Sequence, residues 1–142
     1  MLHNRAMRLP ARLCFVFMLP VIGACQRAPV PLPVIAQGDG HVEWHGTAPC
    51  ADCTGIDIRL VLEREGDVRR YMLVETYVAD DTGARFIDRG QWRQDAALLH
   101  LLGGTGSQRT YAVLDNGGLQ SRDSHGRPLP LREDAVLSPV AP

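Results

Sequence analysis

The chain has 142 residues, of which 45% are hydrophobic and 22% are charged, and its formal net charge at pH 7 is −1. This length predicts a single domain with a modest core. The 15 basic residues are all arginine and form no basic run, and 16 residues are acidic, so nucleic acid is excluded as an expected partner.

The N-terminus predicts export and attachment to a membrane. Three arginines and no acid accompany an apolar run over residues 13–22, which is about ten residues long, whereas a spanning helix needs roughly 20. Gly23 and Ala24 then precede Cys25, an order that resembles the bacterial lipobox, in which the cysteine is acylated. We therefore expect a signal peptide over residues 1–24 and a lipid on Cys25. An ordinary secretory signal, or an uncleaved anchor with an incidental cysteine, is the alternative.

The next segment predicts where the domain is held. Gln26 is not the aspartate that retains lipoproteins in the inner membrane of enteric bacteria, so the resemblance to lipoproteins favours the outer membrane, facing the periplasm. Over residues 25–40, Pro29, Pro31 and Pro33 alternate with apolar residues, which predicts a semi-extended tether. A first strand in this segment is disfavoured by the prolines.

Residues 41–132 predict an all-β domain. Apolar residues recur with a period of two, and turn residues, such as Asn116-Gly117, recur at regular intervals. After a first strand from His41, the predicted strands are 56–63, 68–78, 86–94, 98–102, 109–115 and 119–123. One face of the strand 68–78 carries Arg69, Tyr71, Leu73, Glu75 and Tyr77. Seven or so antiparallel strands joined by tight turns predict an up-and-down meander that curls into a barrel or half-barrel, with residues 133–142 as a C-terminal tail.

Cys50 and Cys53 are the only free thiols expected, because Cys14 leaves with the signal peptide and Cys25 carries the lipid. Outside the cytoplasm disulfides persist. Two thiols at this spacing form a small-loop disulfide, bind a soft metal such as Cu(I), or take part in thiol exchange. Thioredoxin-like catalysis is disfavoured because the segment that follows alternates as a strand and not as a helix.

A metal site needs suitable ligands around the thiol pair. His45, five residues before Cys50, is the nearest candidate, and His41 shares its strand face if the segment is extended. Two more distant histidines are His100 and His125. Two thiolates can hold Cu(I) linearly, whereas a structural zinc site takes four ligands, so we take Cys50, Cys53 and His45 as candidate copper ligands. The alternative is a structural disulfide that stabilises the domain by ~2 kcal/mol.

The residues around the cysteine pair resemble a known family. Residues 44–56 read WHGTAPCADCTGI and precede an alternating strand and an acidic-glycine turn. This pattern is similar to the N-terminal domain of the NlpE family, bacterial lipoproteins linked to copper tolerance and envelope stress. The resemblance implies a lipocalin-like barrel or half-barrel and an envelope stress sensor protein as a partner. Longer members add a second domain, and this chain ends at Pro142 without one, so roles that require that domain are not expected.

We therefore expect a non-enzymatic lipoprotein that acts in copper tolerance or envelope stress sensing through its thiol pair. No serine has a nucleophile-elbow context, and the glycine-rich loop at residues 103–106 lacks the lysine of a phosphate loop. The first alternative is a module that binds a small apolar ligand, with the cysteines bracing the barrel mouth; the second is a purely structural lipoprotein. Aromatic residues that either line such a cavity or pack the core are Trp44, Tyr71, Tyr77, Phe86, Trp92 and Tyr111. Pairing through an exposed barrel edge predicts a homodimer.

Overall fold

A computed structural model describes residues 37–79, 83–130 and 135–141. The predicted signal peptide, Cys25 and nearly all of the predicted tether lie outside these residues. Eight antiparallel strands form a closed barrel in which each strand pairs with its neighbours in sequence and the last pairs with the first. The strands are β1 (Gly40–Ala48), β2 (Gly55–Glu65), β3 (Val68–Val78), β4 (Arg85–Asp95), β5 (Leu98–Gly103), β6 (Gln108–Val113), β7 (Leu119–Arg122) and β8 (Val136–Pro139). The predicted all-β meander is confirmed, and it closes fully.

Alternation of apolar and polar residues builds the barrel wall. In β2, Ile56, Ile58 and Leu60 are buried, whereas Arg59 between them is exposed, as expected for a strand whose side chains point alternately inward and outward. β2 and β3 pair over their whole length, with Leu60 opposite Leu73. This long hairpin is the most extensively paired part of the sheet.

The connections divide the barrel into two ends. At one end, which we call the turn end, short connections join β2 to β3, β4 to β5 and β6 to β7. At the other, the loop end, lie residues 49–54 between β1 and β2 and residues 104–107 between β5 and β6. Among the described residues, no helix has the length and apolar character needed to cross a bilayer.

Large side chains fill the interior. The indole nitrogen of Trp44 donates to the Gly117 carbonyl at 2.8 Å, and that of Trp92 donates to the Glu63 carbonyl at 3.0 Å. Four of the six aromatic candidates are therefore core packing, since Trp44, Tyr71, Trp92 and Tyr111 are at most 3% exposed. The other two lie near the loop end, where Phe86 is 57% exposed and packs edge-on against Tyr77 at 5.4 Å.

The eighth strand corrects the sequence prediction. Residues 133–142 were expected to be a tail, but β8 lies in this segment and pairs with both β7 and β1, so the barrel does not end at residue 132. β8 has only four residues and ends in Pro139, too short for alternation to identify it. Its position depends on Gly46, where a Cβ atom would lie 2.8 Å from the Leu137 side chain and from the Val136 carbonyl oxygen.

Candidate functional site

The cysteine pair lies at the loop end, in the connection between β1 and β2. Cys50 and Cys53 form a disulfide whose Cα atoms are 5.3 Å apart. Both residues are half-buried and pack against the barrel core. The Thr54 amide donates to the Val78 carbonyl at 2.9 Å, which ties the end of this connection to β3. The disulfide, one of the alternatives that the sequence left open, is the state in which the pair is found.

His45 does not join the cysteines. It lies on the outer face of β1, because its neighbour Trp44 points into the core. There its Nε2 atom lies 2.8 Å from the Asp57 carboxylate, on β2. Within the described ranges, no group of three or more histidine, cysteine, aspartate or glutamate residues could hold a metal ion. The predicted three-residue copper set is therefore not assembled.

The other histidines are separately placed. His41 is exposed on the same outer face of β1 as His45, as the extended strand predicts. The Nδ1 atom of His100 lies 3.2 Å from the Thr110 hydroxyl, on the β5–β6 pair. His125 is exposed and lies beside Ser124.

An open pocket of about 760 Å³ lies beside the disulfide connection. Its lining residues are Thr47, Ala48, Pro49, Thr54, Gly55, Ile56, Asp57, Thr76, Val78 and Ala135. Half of these side chains are apolar, and most of the polar ones are threonines, whose methyl groups add further apolar surface. The pocket therefore suits a small apolar molecule.

Sequence reasoning missed a group of polar side chains on the inner barrel wall, which we call the inner polar cluster: Tyr71, Glu75, Asp88, Ser107 and Arg109. The Tyr71 and Ser107 hydroxyls both donate to one Asp88 oxygen, at 2.9 and 2.8 Å. The Arg109 guanidinium donates two hydrogen bonds to the Glu75 carboxylate, at 2.9 and 2.8 Å. The signal was the alternation of β3, which places Glu75 on the same face as Tyr71. The partner of Glu75, Arg109, lies 34 residues further along the chain, and the partner of Tyr71, Asp88, lies 17 residues further along, so only the fold reveals these pairs.

Burial and charge shift the proton affinities in this cluster. Burial, followed by the hydrogen bond to Asp88, raises the pKa of Tyr71 to about 12. Burial alone would lower the pKa of Arg109, but Glu75, through its charge and its hydrogen bonds, and the neighbouring acidic groups Tyr111 and Asp88 together outweigh burial, and the net shift is upward. Tyr71 and Arg109 therefore stay protonated at neutral pH, as partners of the carboxylates.

Comparison with known proteins identifies the family. A family model, the NlpE N-terminal domain, matches residues 44–130. Lipoprotein NlpE of Escherichia coli (strain K12) is 32% identical over 87 residues, which are 61% of this chain and 35% of that protein. The crystal structure of the Cpx pathway activator NlpE from Escherichia coli matches with a TM-score of 0.51 at 31% identity, over 62% of this chain and 45% of that one. This chain thus spans less than half of the relatives that it matches, and through this domain it belongs to the NlpE family.

Proposed function

We propose that this chain is a lipid-anchored protein of the bacterial envelope that acts in copper tolerance or envelope stress sensing, without enzymatic activity. The responsive element is the Cys50–Cys53 pair, and the observation that carries the proposal is its half-buried disulfide at the loop end. An envelope stress sensor protein is the proposed partner that reads its state.

The two states of the pair differ by two electrons and two protons. A dithiol of the envelope supplies both through thiol–disulfide exchange, and its own thiols become a disulfide while Cys50 and Cys53 become free thiols. Thr54, the residue after Cys53, is fixed to β3 because its amide donates to the Val78 carbonyl. The disulfide ties Cys50 to this fixed point, so opening the disulfide loosens the connection from Cys50 to β2. The redox state is thereby expressed as the conformation of one loop.

Copper fits the reduced pair better than zinc does. Soft thiolates select Cu(I), and two of them suffice for linear coordination. A closed zinc site requires four ligands, whereas His45 is held on the outer face by Asp57. Cys50 and Cys53 are thus the residues that would hold Cu(I), and binding would release their thiol protons.

The anchor is proposed to be the lipid on Cys25, in the outer membrane. Residues 26–39 separate this cysteine from β1, and a chain of this length reaches at most about 50 Å when fully extended. The barrel therefore stays close to the bilayer surface.

The experiment measures two quantities in cells that depend on this protein: copper tolerance and the response of a stress-response reporter. The double variant Cys50→Ser, Cys53→Ser is expected to lose both. The matched control is Val113→Ala. This change removes core packing at the turn end of the barrel, away from the cysteine pair, and costs about 2 kcal/mol of stability. Equal loss in the control, or full tolerance in the double variant, contradicts the proposal.

A second candidate function rests on the pocket beside the disulfide, which has the size and apolar lining of a small-ligand site. Val78→Trp is expected to fill it and abolish binding of an apolar fluorescent probe such as N-phenyl-1-naphthylamine. Val68→Trp is the control, because Val68 and Val78 are both 45% exposed and lie at opposite ends of β3. Equal probe binding by both variants contradicts this function.

A further inference from the structure

Four arginines lie on the outer surface of two neighbouring strands. They are Arg70 on β3 and Arg85, Arg89 and Arg93 on β4, and all four are exposed. They occupy the positions that alternate with the core residues Tyr71 and Trp92, so they point outward. We call this surface, the outward positions of β3, β4 and β5, the arginine face.

No ion pair between described residues involves any of these four arginines. By contrast, Arg59, Arg109 and Arg127 form ion pairs with Glu43, Glu75 and Asp123. Of the described acids on these strands and on β2, Asp95 is the last residue of β4, and Glu63 lies opposite Arg70 on β2. The chain as a whole carries 16 acidic and 15 basic residues, so these four arginines form a basic surface on a protein that has no net positive charge.

The same surface carries most of the exposed apolar side chains. Six large hydrophobic residues are exposed in the described part of the chain, and four of them occupy outward positions of β3, β4 or β5. These four are Val68, Val78, Ile87 and Leu102. Ile87 stands between Arg85 and Arg89 on the outer side of β4. Basic and apolar groups therefore alternate on this surface.

The arginine face also contains an open hollow of about 570 Å³ between β3 and β4. Arg70 and Arg89 line it, together with Met72 and Gln91. Two guanidinium groups beside one hollow can bind the oxygens of a phosphate through charge-assisted hydrogen bonds. Glu63 lines one side, so the hollow suits a phosphate that approaches from the β4 side.

We propose that the arginine face docks on an anionic phospholipid surface, with its arginines at the phosphate groups and its exposed apolar side chains at the headgroup boundary. Alternating basic and apolar groups are the composition of proteins that lie on anionic membranes. An acidic protein is a weaker match, because it leaves Ile87 and Leu102 without apolar partners. The proposal rests on the lipid anchor of the proposed function, which brings the barrel within reach of a bilayer.

Arginine-specific chemical footprinting tests the docking. The full-length lipoprotein is isolated from the envelope, reconstituted into vesicles of phosphatidylcholine with or without phosphatidylglycerol, and modified with phenylglyoxal before peptide mass spectrometry. Modification of Arg70, Arg85, Arg89 and Arg93 is expected to slow about threefold or more in the anionic vesicles at low salt, and to recover at high salt. Arg127, which is paired with Asp123 and 73% exposed, is the internal control.

A variant distinguishes docking of the arginine face from protection that arises only because the lipid anchor holds the barrel near the bilayer. In Arg85→Gln, Arg89→Gln, Arg93→Gln the remaining Arg70 is expected to lose its protection, whereas Arg127→Gln leaves it protected. Equal modification of the arginine face in both kinds of vesicle overturns the proposal. Protection that appears only when polyglutamate is added also overturns it, in favour of an acidic protein partner.

The vesicle pellet distinguishes failure of the anchor from failure of the arginine face. Protein that stays with both kinds of vesicle but shows no protection contradicts the arginine face alone. Protein retained only by anionic vesicles supports the arginine face and contradicts the anchor. Protein absent from both pellets contradicts both.

Discussion

At the scale of single residues, the notable feature is charge inside a small barrel. Burial of an unpaired carboxylate is costly, and pairing removes most of that cost. Glu75 is satisfied by the guanidinium of Arg109, and Asp88 by the hydroxyls of Tyr71 and Ser107. The inner polar cluster thus links β3, β4 and β6 at one level of the wall.

Tyr71 gives a prediction for alkaline pH. Its pKa is about 12 in the folded chain, against 10.0 as the ordinary value. Between these pH values the unfolded chain has released a proton that the folded chain still holds, so the free energy of unfolding falls as pH rises. We expect a loss on the order of 2 kcal/mol, complete by about pH 12. In Tyr71→Phe, the free energy of unfolding obtained from urea unfolding should not show this fall with pH. A pH dependence equal to that of the wild type contradicts the assignment.

The close approach of β4 and β5 at Gly90 gives a prediction about stability. A Cβ atom at this position would overlap the Leu102 carbonyl oxygen on β5, so Gly90→Ala must push the two strands apart. We expect a loss of about 2 kcal/mol in the free energy of unfolding. Gly104→Ala is the control, because its Cβ atom would meet only the Arg89 carbonyl at an ordinary 3.7 Å. Similar stability of the two variants in urea unfolding is the outcome that contradicts this reasoning.

At the scale of elements, the β1–β2 connection is braced by its disulfide. Because the ring closed by Cys50 and Cys53 is small, loop-closure entropy predicts a stabilisation of only ~2 kcal/mol. The double serine variant should therefore remain folded, with a lower Tm, and wild type in reductant should match it. Unfolding of the variant at room temperature would show instead that the barrel depends on this bond.

β8 is the element that closes the barrel, and Leu137 is its inward-facing anchor at 2% exposure. Leu137→Ala is expected to cost about 3 kcal/mol and to speed hydrogen exchange of the amides of Val140 and of the β7 strand. Val136→Ala is the control, because Val136 is only half-buried and faces the other way. Equal effects of the two variants contradict the role of β8 as the closing strand.

The strands show which elements a sequence can predict. β2 was predicted within two residues of its ends and β3 at both of its ends, because apolar and polar residues alternate along most of each strand around an acidic-glycine turn. β8 was missed because four residues contain too little alternation. Its conformation is determined by contact with Gly46, which lies about 90 residues earlier in the chain.

The candidate site was predictable only where it is local in sequence. The disulfide was one of the stated alternatives, since the two cysteines lie three residues apart. His45 was linked to them by sequence proximity, but strand alternation turns it outward, to Asp57. The inner polar cluster depends on pairs between distant strands, such as Arg109 with Glu75, which no local pattern contains.

At the scale of the whole molecule, the central claim is that a barrel held at a membrane responds through one pair of cysteines. The loop end carries this pair and the apolar pocket, and the turn end contributes packing. A fold that stays closed while one loop changes state can transmit that change without unfolding. This separation predicts that copper binding requires reduction and leaves the barrel intact.

The measurement that tests this claim most directly is native mass spectrometry of the full-length protein with Cu(I), before and after reduction, with thiols counted in each sample. We predict one copper per chain after reduction, none in the disulfide form and none in Cys50→Ser, with unchanged far-ultraviolet circular dichroism. Reduced protein that binds no copper, or copper bound equally by Cys50→Ser, would contradict the account.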